Sequence, residues 1–250
     1  MSTIDIKLEG QDNYFVQESF KFIRTNIQFC GADIKTIAIT SCNENEGKST
    51  VALHIAKSFA ELGKKVLFID ADMRKSVLAG RNFKMNVSAG LSEFLSGQVK
   101  DAHSFLHKTT VENLHFILAG VYPPNPAELL SSKNFDSLLN VSRNSFDYVI
   151  IDTPPLGAVA DAAIIASKCD GTIMVFGSDE INRKEAQEVI SRLRLSGTKL
   201  LGAIRNNATT KSGSAYGKKA YYKHKSSNVK KVTEEDDESW KRLFPSDSDR

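Results

Sequence analysis

The chain has 250 residues, 41% hydrophobic and 25% charged, with a formal net charge of +3. That is the composition of an ordinary globular protein with one substantial domain and appendages, and the charge is too small to imply nucleic-acid binding. The three cysteines, Cys30, Cys42 and Cys169, have no CxxC spacing and exclude a disulfide framework and a zinc site.

The first residues, MSTIDIKLEG, lack the basic region and apolar stretch of a signal peptide, and no apolar run approaches the ~18 residues of a membrane span. A cytosolic protein is expected, whose membrane association is borrowed from a partner. "NYFVQESFKFIRTNIQF" (13–29) places Val16, Phe20, Ile23 and Ile27 at helical spacing. They predict a helix packed on the core, with Glu18 and Lys21 away from the apolar stripe and Arg24 nearer its edge.

Buried strands are predicted at 35–40, 65–70, 114–119, 147–152, 171–177 and 199–204, from short β-branched runs. Helix candidates between them begin near Lys48, Ala89, Pro126, Ala160 and Arg183. This alternation predicts an α/β fold, a mostly parallel sheet with helices on both faces. Periodicity stops after Asn207, which divides the chain into an N-terminal segment (1–34), an α/β domain (35–208) and a flexible tail (209–250).

The sharpest signal is "TSCNENEGKST" (40–50), which follows the first long strand and opens a helix. Gly47, Lys48 and Ser49 form the second half of a P-loop. Backbone N–H groups and the helix N-terminus surround phosphate oxygens there, and the lysine reaches the β- and γ-phosphates. Ser49 can give its hydroxyl to Mg²⁺, and Thr50 is placed to touch the α-phosphate. The first glycine of the motif is replaced by Cys42, and Glu46 brings negative charge that must point outward if phosphate binds.

Two acidic strand ends accompany the loop. "VLFIDADMR" ends in Asp70 and Asp72, and "YVIIDTPP" in Asp152. Ligands of open parallel sheets bind at the carboxyl ends of strands, so these carboxylates are expected to converge on the P-loop, Asp152 as a Walker B aspartate for Mg²⁺. Each alone reads as a helix cap or turn residue, and it is the constellation that makes a site.

These motifs resemble the bacterial tyrosine kinases linked to capsule and exopolysaccharide synthesis, over about residues 14 to 222. The family's P-loop pattern TSxxPGEGKST is matched at Thr40, Ser41, Glu46, Gly47, Lys48, Ser49 and Thr50. Its second motif, IDADxRK, is matched at Ile69–Asp72, Arg74 and Lys75, and IDTPP at Ile151–Pro155. "PPNPAELLSS" (123–132) is also similar to a family segment. Glu44 and Asn45 replace the usual Pro-Gly, and asparagine is the next most tolerant residue if position 45 needs φ > 0. His54 stands where these kinases often have asparagine. A related class, the ParA/MinD partition ATPases, carries a signature lysine at the position of Asn43, and its absence favours a kinase.

The resemblance implies ATP and Mg²⁺ as cofactors, with Mg²⁺ held by Ser49, Asp70 and Asp152. It implies that Asp70 or Asp72 acts as a base toward a tyrosine hydroxyl, and that Asn206 contacts the nucleotide base. A turn residue is an equal reading of Asn206. Glu18 and Arg24, with Lys21 in place of an arginine, match an oligomerisation motif and imply a ring, although charges on an exposed helix face fit the same pattern. A membrane-spanning adaptor of the polysaccharide co-polymerase type and a cognate tyrosine phosphatase are the implied partners, and the inner face of the cell membrane the implied place of action.

The tail carries Tyr216, Tyr221 and Tyr222 among seven lysines and no acid between Thr209 and Lys231, followed by Glu234-Glu235-Asp236-Asp237-Glu238. The tyrosines read as autophosphorylation acceptors in trans, or as aromatics packed on the domain or a partner. Three readings of the whole follow: a tyrosine autokinase, a P-loop ATPase switch without kinase activity, and a nucleotide-independent scaffold.

Overall fold

The computed structural model describes residues 3–6, 8, 13–78, 89–177 and 183–207. Tyr216, Tyr221, Tyr222 and the acidic run lie outside the described residues. The described residues gather as one compact unit.

In chain order the described elements are β1 (Thr3–Ile4), α1 (Tyr14–Phe29), β2 (Thr36–Ser41), α2 (Lys48–Glu61) and β3 (Val66–Asp70). Then come α3 (Leu91–Leu95), α4 (Ala102–Phe105), β4 (Leu106–Thr109), β5 (Leu114–Ile117), α5 (Pro126–Leu130) and α6 (Lys133–Ser145). The series ends with β6 (Tyr148–Asp152), α7 (Asp161–Ala166), β7 (Gly171–Phe176), α8 (Arg183–Leu195) and β8 (Leu200–Arg205). The six predicted strands all form, within one or two residues at each end.

The eight described strands make one sheet in the order β1-β4-β5-β3-β6-β2-β7-β8. Five of the pairings from β5 to β8 are parallel, while β4 turns antiparallel against β5. Two edge elements, β1 and β4, were not anticipated. "LHKT" alternates apolar and polar residues over only four positions, too short a run for periodicity to reveal. The helix α6 was also missed. Ser132 caps it by accepting from the Phe135 amide at 3.4 Å, one turn beyond the short α5 that Pro126 opens.

The central strands are buried on both faces, which is why they read as continuous apolar runs. Ile37, Ile39, Val66, Phe68, Ile150 and Ile173 join α2 residues Val51, Ile55 and Phe59 in one apolar cluster. The alternate residues Ala38, Leu67, Ile69, Val149 and Ile151 are equally buried on the opposite side, where α6 packs on β6 and α7 on β2. Helix α1 lies on α2. Asn13 caps it, accepting from the Phe15 amide at 3.0 Å, and Ile27 is buried with Phe20 and Ile23 packed against the cluster. A second side of this helix exposes Phe15, Phe22 and Phe29 at sevenfold spacing.

The strand order has one consequence for function. The three motif-bearing strands β3, β6 and β2 are adjacent, although 78 residues separate Asp152 from Arg74 in the chain. Asp70 pairs level with Asp152 across β3 and β6, and Ile39 with Asp152 across β2 and β6. Phe59, fully buried in α2 and stacked 3.9 Å from the Tyr148 ring, ties the helix behind the P-loop to this platform. Phe59→Ala should lower the unfolding free energy by about 3–5 kcal/mol, seen as a lower denaturant midpoint at unchanged slope.

Candidate active site

The P-loop closes through backbone conformations that its sequence permits. Gly47 caps α2 with φ of 82° and Asn45 sits at φ of 63°. Asparagine at position 45 thus occupies the left-handed region that the departure from Pro-Gly required of it. Cys42 is not among the positive-φ residues, so a side chain fits where the P-loop pattern has its first glycine. Its thiol is buried beneath the loop and pushed up to about 12, by burial first and then by the Glu46 charge, which keeps it a protonated, unreactive filler. The following chain passes close by: the Gly157 amide donates to the Cys42 carbonyl at 3.1 Å, and a Cβ on Gly157 would meet that oxygen at 2.3 Å.

Glu46 does not simply face solvent. Its Oε2 accepts from the Asn43 amide at 2.8 Å, folding the carboxylate back over the loop's own backbone, because that amide has no strand partner. Asn206 braces the same turn. Its Nδ2 donates to the Glu46 carbonyl at 3.0 Å, and its amide donates to the Phe176 carbonyl at 2.7 Å. A Cβ on Gly47 would lie 2.0 Å from that Nδ2, so glycine here serves both the left-handed backbone and the close approach. Thr50, in the first turn of α2, is exposed.

Below the loop, four ionisable side chains are buried together: Lys48 at 8% exposure, Asp70 at 0%, Asp72 at 4% and Asp152 at 1%. Lys48 Nζ lies 3.3 Å from Asp72 Oδ2 and 3.3 Å from Ser49 Oγ. Burial works against the ammonium, yet Asp152, Asp72 and Asp70 outweigh it and hold the lysine above its usual value. The carboxylates respond oppositely. Asp70 is pushed up strongly by burial and then by the Asp152 charge, and its two oxygens accept from the Asp72 amide at 3.2 Å and from the Ser76 hydroxyl. Asp152 is pushed up by burial, with Lys48 and the Ser49 hydroxyl pulling the other way.

One oxygen of that set stands out. Among the described residues, Asp152 Oδ1 has no hydrogen-bond partner although it is fully buried. A buried carboxylate oxygen without a donor is costly unless a cation meets it, and Ser49 lies beside it to supply a hydroxyl. No three His, Cys, Asp or Glu gather as metal ligands among the described residues. Mg²⁺ at a P-loop takes few protein ligands, since phosphate and water complete its octahedron, so Asp152 and Ser49 fit the ion. Both Asp70 oxygens already accept a protein donor, so Asp152 is the freer ligand of the two.

Sequence reasoning missed several supporting residues. Asp161 receives a two-point contact from Arg74, Lys75 Nζ meets Glu44 at 2.6 Å, and Ser76 holds Asp70. No local signal pairs such distant residues. His54 faces away from the loop, stacked 4.5 Å from Phe20 at 6°, which gives its departure from asparagine a packing reason. The set Glu18, Lys21 and Arg24 divides. Glu18 and Lys21 pair at 2.8 Å on the exposed side, whereas Arg24 turns inward to the Ser58 carbonyl at 2.6 Å.

A strand–loop–helix phosphate cradle beside two acidic strand ends in a parallel sheet defines a P-loop NTPase. The profile of the AAA domain matches residues 34–195. Tyrosine-protein kinase CpsD of Streptococcus pneumoniae is 41% identical over 206 residues, 82% of this chain and 90% of that protein. The kinase domain of Escherichia coli tyrosine kinase ETK superposes with a TM-score of 0.77 at 30% identity, over 86% of each chain. The chimerical protein CapA2B2 superposes with a TM-score of 0.73 at 31% identity, over 82% of this chain and 93% of that one. The chain belongs to the bacterial tyrosine-protein kinases of the CpsD/CapB/YwqD type and is a protein-tyrosine kinase. The septum site-determining protein MinD of Pyrococcus horikoshii, in complex with Mg-ADP, shares only the fold, at 21% identity and a TM-score of 0.55 over 69% of this chain and 70% of that one.

The raised carboxylates set a pH dependence. A folded-state value above the unfolded one contributes stability that is present at low pH and lost as pH rises through the folded value. Asp70→Asn should therefore stabilise the nucleotide-free protein more above neutrality than in mild acid, compared by thermal melts across that range. Equal shifts at both ends would contradict it.

Proposed function

We propose that this kinase transfers the γ-phosphate of ATP to Tyr216, Tyr221 and Tyr222 of a neighbouring copy, and that the transfer regulates capsular or exopolysaccharide synthesis. The observation that carries the chemistry is the buried Lys48–Asp72 pair beside the unpartnered Asp152 oxygen. Lys48 exchanges Asp72 for the β- and γ-phosphates as nucleotide enters, and the exchange frees the Asp72 carboxylate. Asp72, with Asp70 behind it, then accepts the proton of the acceptor tyrosine. Tyrosine Oη forms its bond to the γ-phosphorus as the bond to the bridging β–γ oxygen breaks, and ADP leaves. Lys48 and the loop amides from Glu46 to Thr50 stabilise the charge that spreads over the phosphoryl oxygens.

Mg²⁺ would be held by Ser49 and Asp152, with Asp70 close by, and supplies neutralising charge to the phosphates. Asn206 borders the nucleotide base, a role supported by its bond from the end of β8 to the Glu46 carbonyl of the P-loop. A nucleotide-bound MinD with the same fold supports ATP and Mg²⁺ as ligands.

The remaining assignments extend the same reading. Copies assemble as a ring, with Glu18 and Lys21 on the exposed side of α1 and Arg24 fixing that helix to α2. A membrane-spanning adaptor of the polysaccharide co-polymerase type recruits the kinase to the inner face of the membrane. No described helix is long and apolar enough to cross a membrane, and a solved relative is the chimerical protein CapA2B2. A cognate phosphatase removes the phosphates. No nucleic acid takes part. Each phosphotyrosine adds about −1.5 to −2 charges, so three largely cancel the seven tail lysines.

The test is incubation with ATP and Mg²⁺, with and without the adaptor's cytosolic segment, followed by mass spectrometry. Phosphate is expected on Tyr216, Tyr221 and Tyr222, and Lys48→Met should slow its appearance by about 100-fold or more. In a mixture, a Lys48→Met chain should be modified by a chain that keeps Lys48 but has phenylalanine at its three tail tyrosines. Phosphate confined to other residues, or persisting undiminished after Lys48→Met, would overturn the assignment.

A further inference from the structure

Arg74 and Asp161 lie outside every role given above, yet they make one of the best-defined polar contacts in the protein. Arg74 Nε donates to Asp161 Oδ2 at 2.7 Å, and a terminal nitrogen donates to Oδ1 at 3.0 Å. This is the planar two-point geometry that only arginine offers a carboxylate. Asp161 is 1% exposed, whereas the Arg74 side chain is 42% exposed. The first turn of α7 suits a carboxylate on its own account, but both Asp161 oxygens are turned to the guanidinium.

The contact controls a short turn. The Arg74 and Lys75 amides both donate to Asp72 Oδ1, at 3.3 and 3.0 Å, while Asp72 Oδ2 faces Lys48. The backbone that carries the fork therefore also aims the Asp72 carboxylate. The cleft beside it is walled on one side by Asp72, Arg74 and Lys75, and on the other by Pro154, Pro155 and Ala158. Those walls are joined at the sheet end by the Ala71 amide donating to the Asp152 carbonyl at 2.8 Å. Arg74 and Asp161 join them a second time, at the far end.

We propose that Asp161 is a positioning residue for phosphoryl transfer. Through Arg74 it locks the 71–75 turn, so that the Asp72 carboxylate stays aimed into the cleft, level with the Asp152 wall, when Lys48 exchanges it for phosphate. The proposal rests on the roles given to Lys48 and Asp72. It adds that their alignment is set from α7, a helix that contributes no group to the phosphate cradle. A misplacement of about 1 Å at a reacting group suffices to cost on the order of 100-fold in rate, so the fork acts on the chemical step and leaves the grip on ATP untouched.

Two variants test it in the full chain. Asp161→Asn removes the charge and one arm of the fork, and Arg74→Lys keeps the charge but loses the plane. Each should lower kcat for tail phosphorylation about tenfold or more, with the ATP dissociation constant changed less than about twofold. Each should also speed hydrogen exchange at the Arg74 and Lys75 amides, resolved by NMR, with exchange in β6 unchanged. Because the fork is one unit, the double variant should be no slower than the more impaired single variant. Arg74 is partly exposed, so Arg74→Lys carries the test if Asp161→Asn does not fold. Unchanged amide exchange, a loss of ATP affinity in step with thermal stability, or multiplicative losses in the double variant would each overturn the proposal. A wild-type chain that phosphorylates residues other than its tail tyrosines would instead defeat the acceptor assignment and leave the amide-exchange readout to decide this one.

Discussion

Three carboxylates and one ammonium are buried together at the ends of β3, β6 and β2, and the rest of the molecule is arranged around that imbalance. Charges removed from water are tolerated when paired, and here one lysine faces three acids. The protein answers by raising the affinity of Asp70 and Asp152 for protons and by giving Asp70 a serine hydroxyl and an amide. Asp152 keeps one oxygen unsatisfied. A site so poised gains from a divalent cation and from a polyanion that draws the lysine away, which is the ligand pair of a phosphoryl-transfer enzyme.

The apolar framework makes this polar centre affordable. Strands covered on both faces bury Ile39, Ile69, Phe68 and Ile151 immediately behind the acids, and the Phe59–Tyr148 and Phe20–His54 stacks fix α2 and α1. With α2 fixed, its N-terminus and Lys48 cannot drift from the strand ends. The departures from the family pattern fit the same frame. Asn45 takes the left-handed conformation expected of glycine, Cys42 fills space beneath the loop, and His54 serves the helix interface. Glu44 gains a role from the ion pair with Lys75, a contact linking the P-loop to the turn that carries Asp72.

Holding the two loops of the cleft is a separate problem from supplying its charges. Parallel strands place Asp70 and Asp152 level with each other, but the register says nothing of the turns beyond them. Those turns are set by side-chain contacts between distant segments: Arg74 with Asp161, Lys75 with Glu44, and Asn206 with the Glu46 carbonyl. Each bridges elements that approach only because the strand order interleaves the chain.

The α/β class, the six principal strands, the P-loop and the three acidic positions are legible in the order of residues alone. Such features depend on residue type and short spacing: β-branched runs, Gly47 where φ is positive, Lys48 at a helix start. That order left the strands β1 and β4 unseen, since two and four residues carry no period, and it did not separate α6 from the short α5 directly before it. Which acid Lys48 meets, which carboxylate oxygen stays free, and that Arg24 turns inward from Glu18 and Lys21 emerge from the folded chain. Pairing and protonation depend on distance and burial between residues far apart in the chain, and those quantities come into being when β6 inserts between β3 and β2.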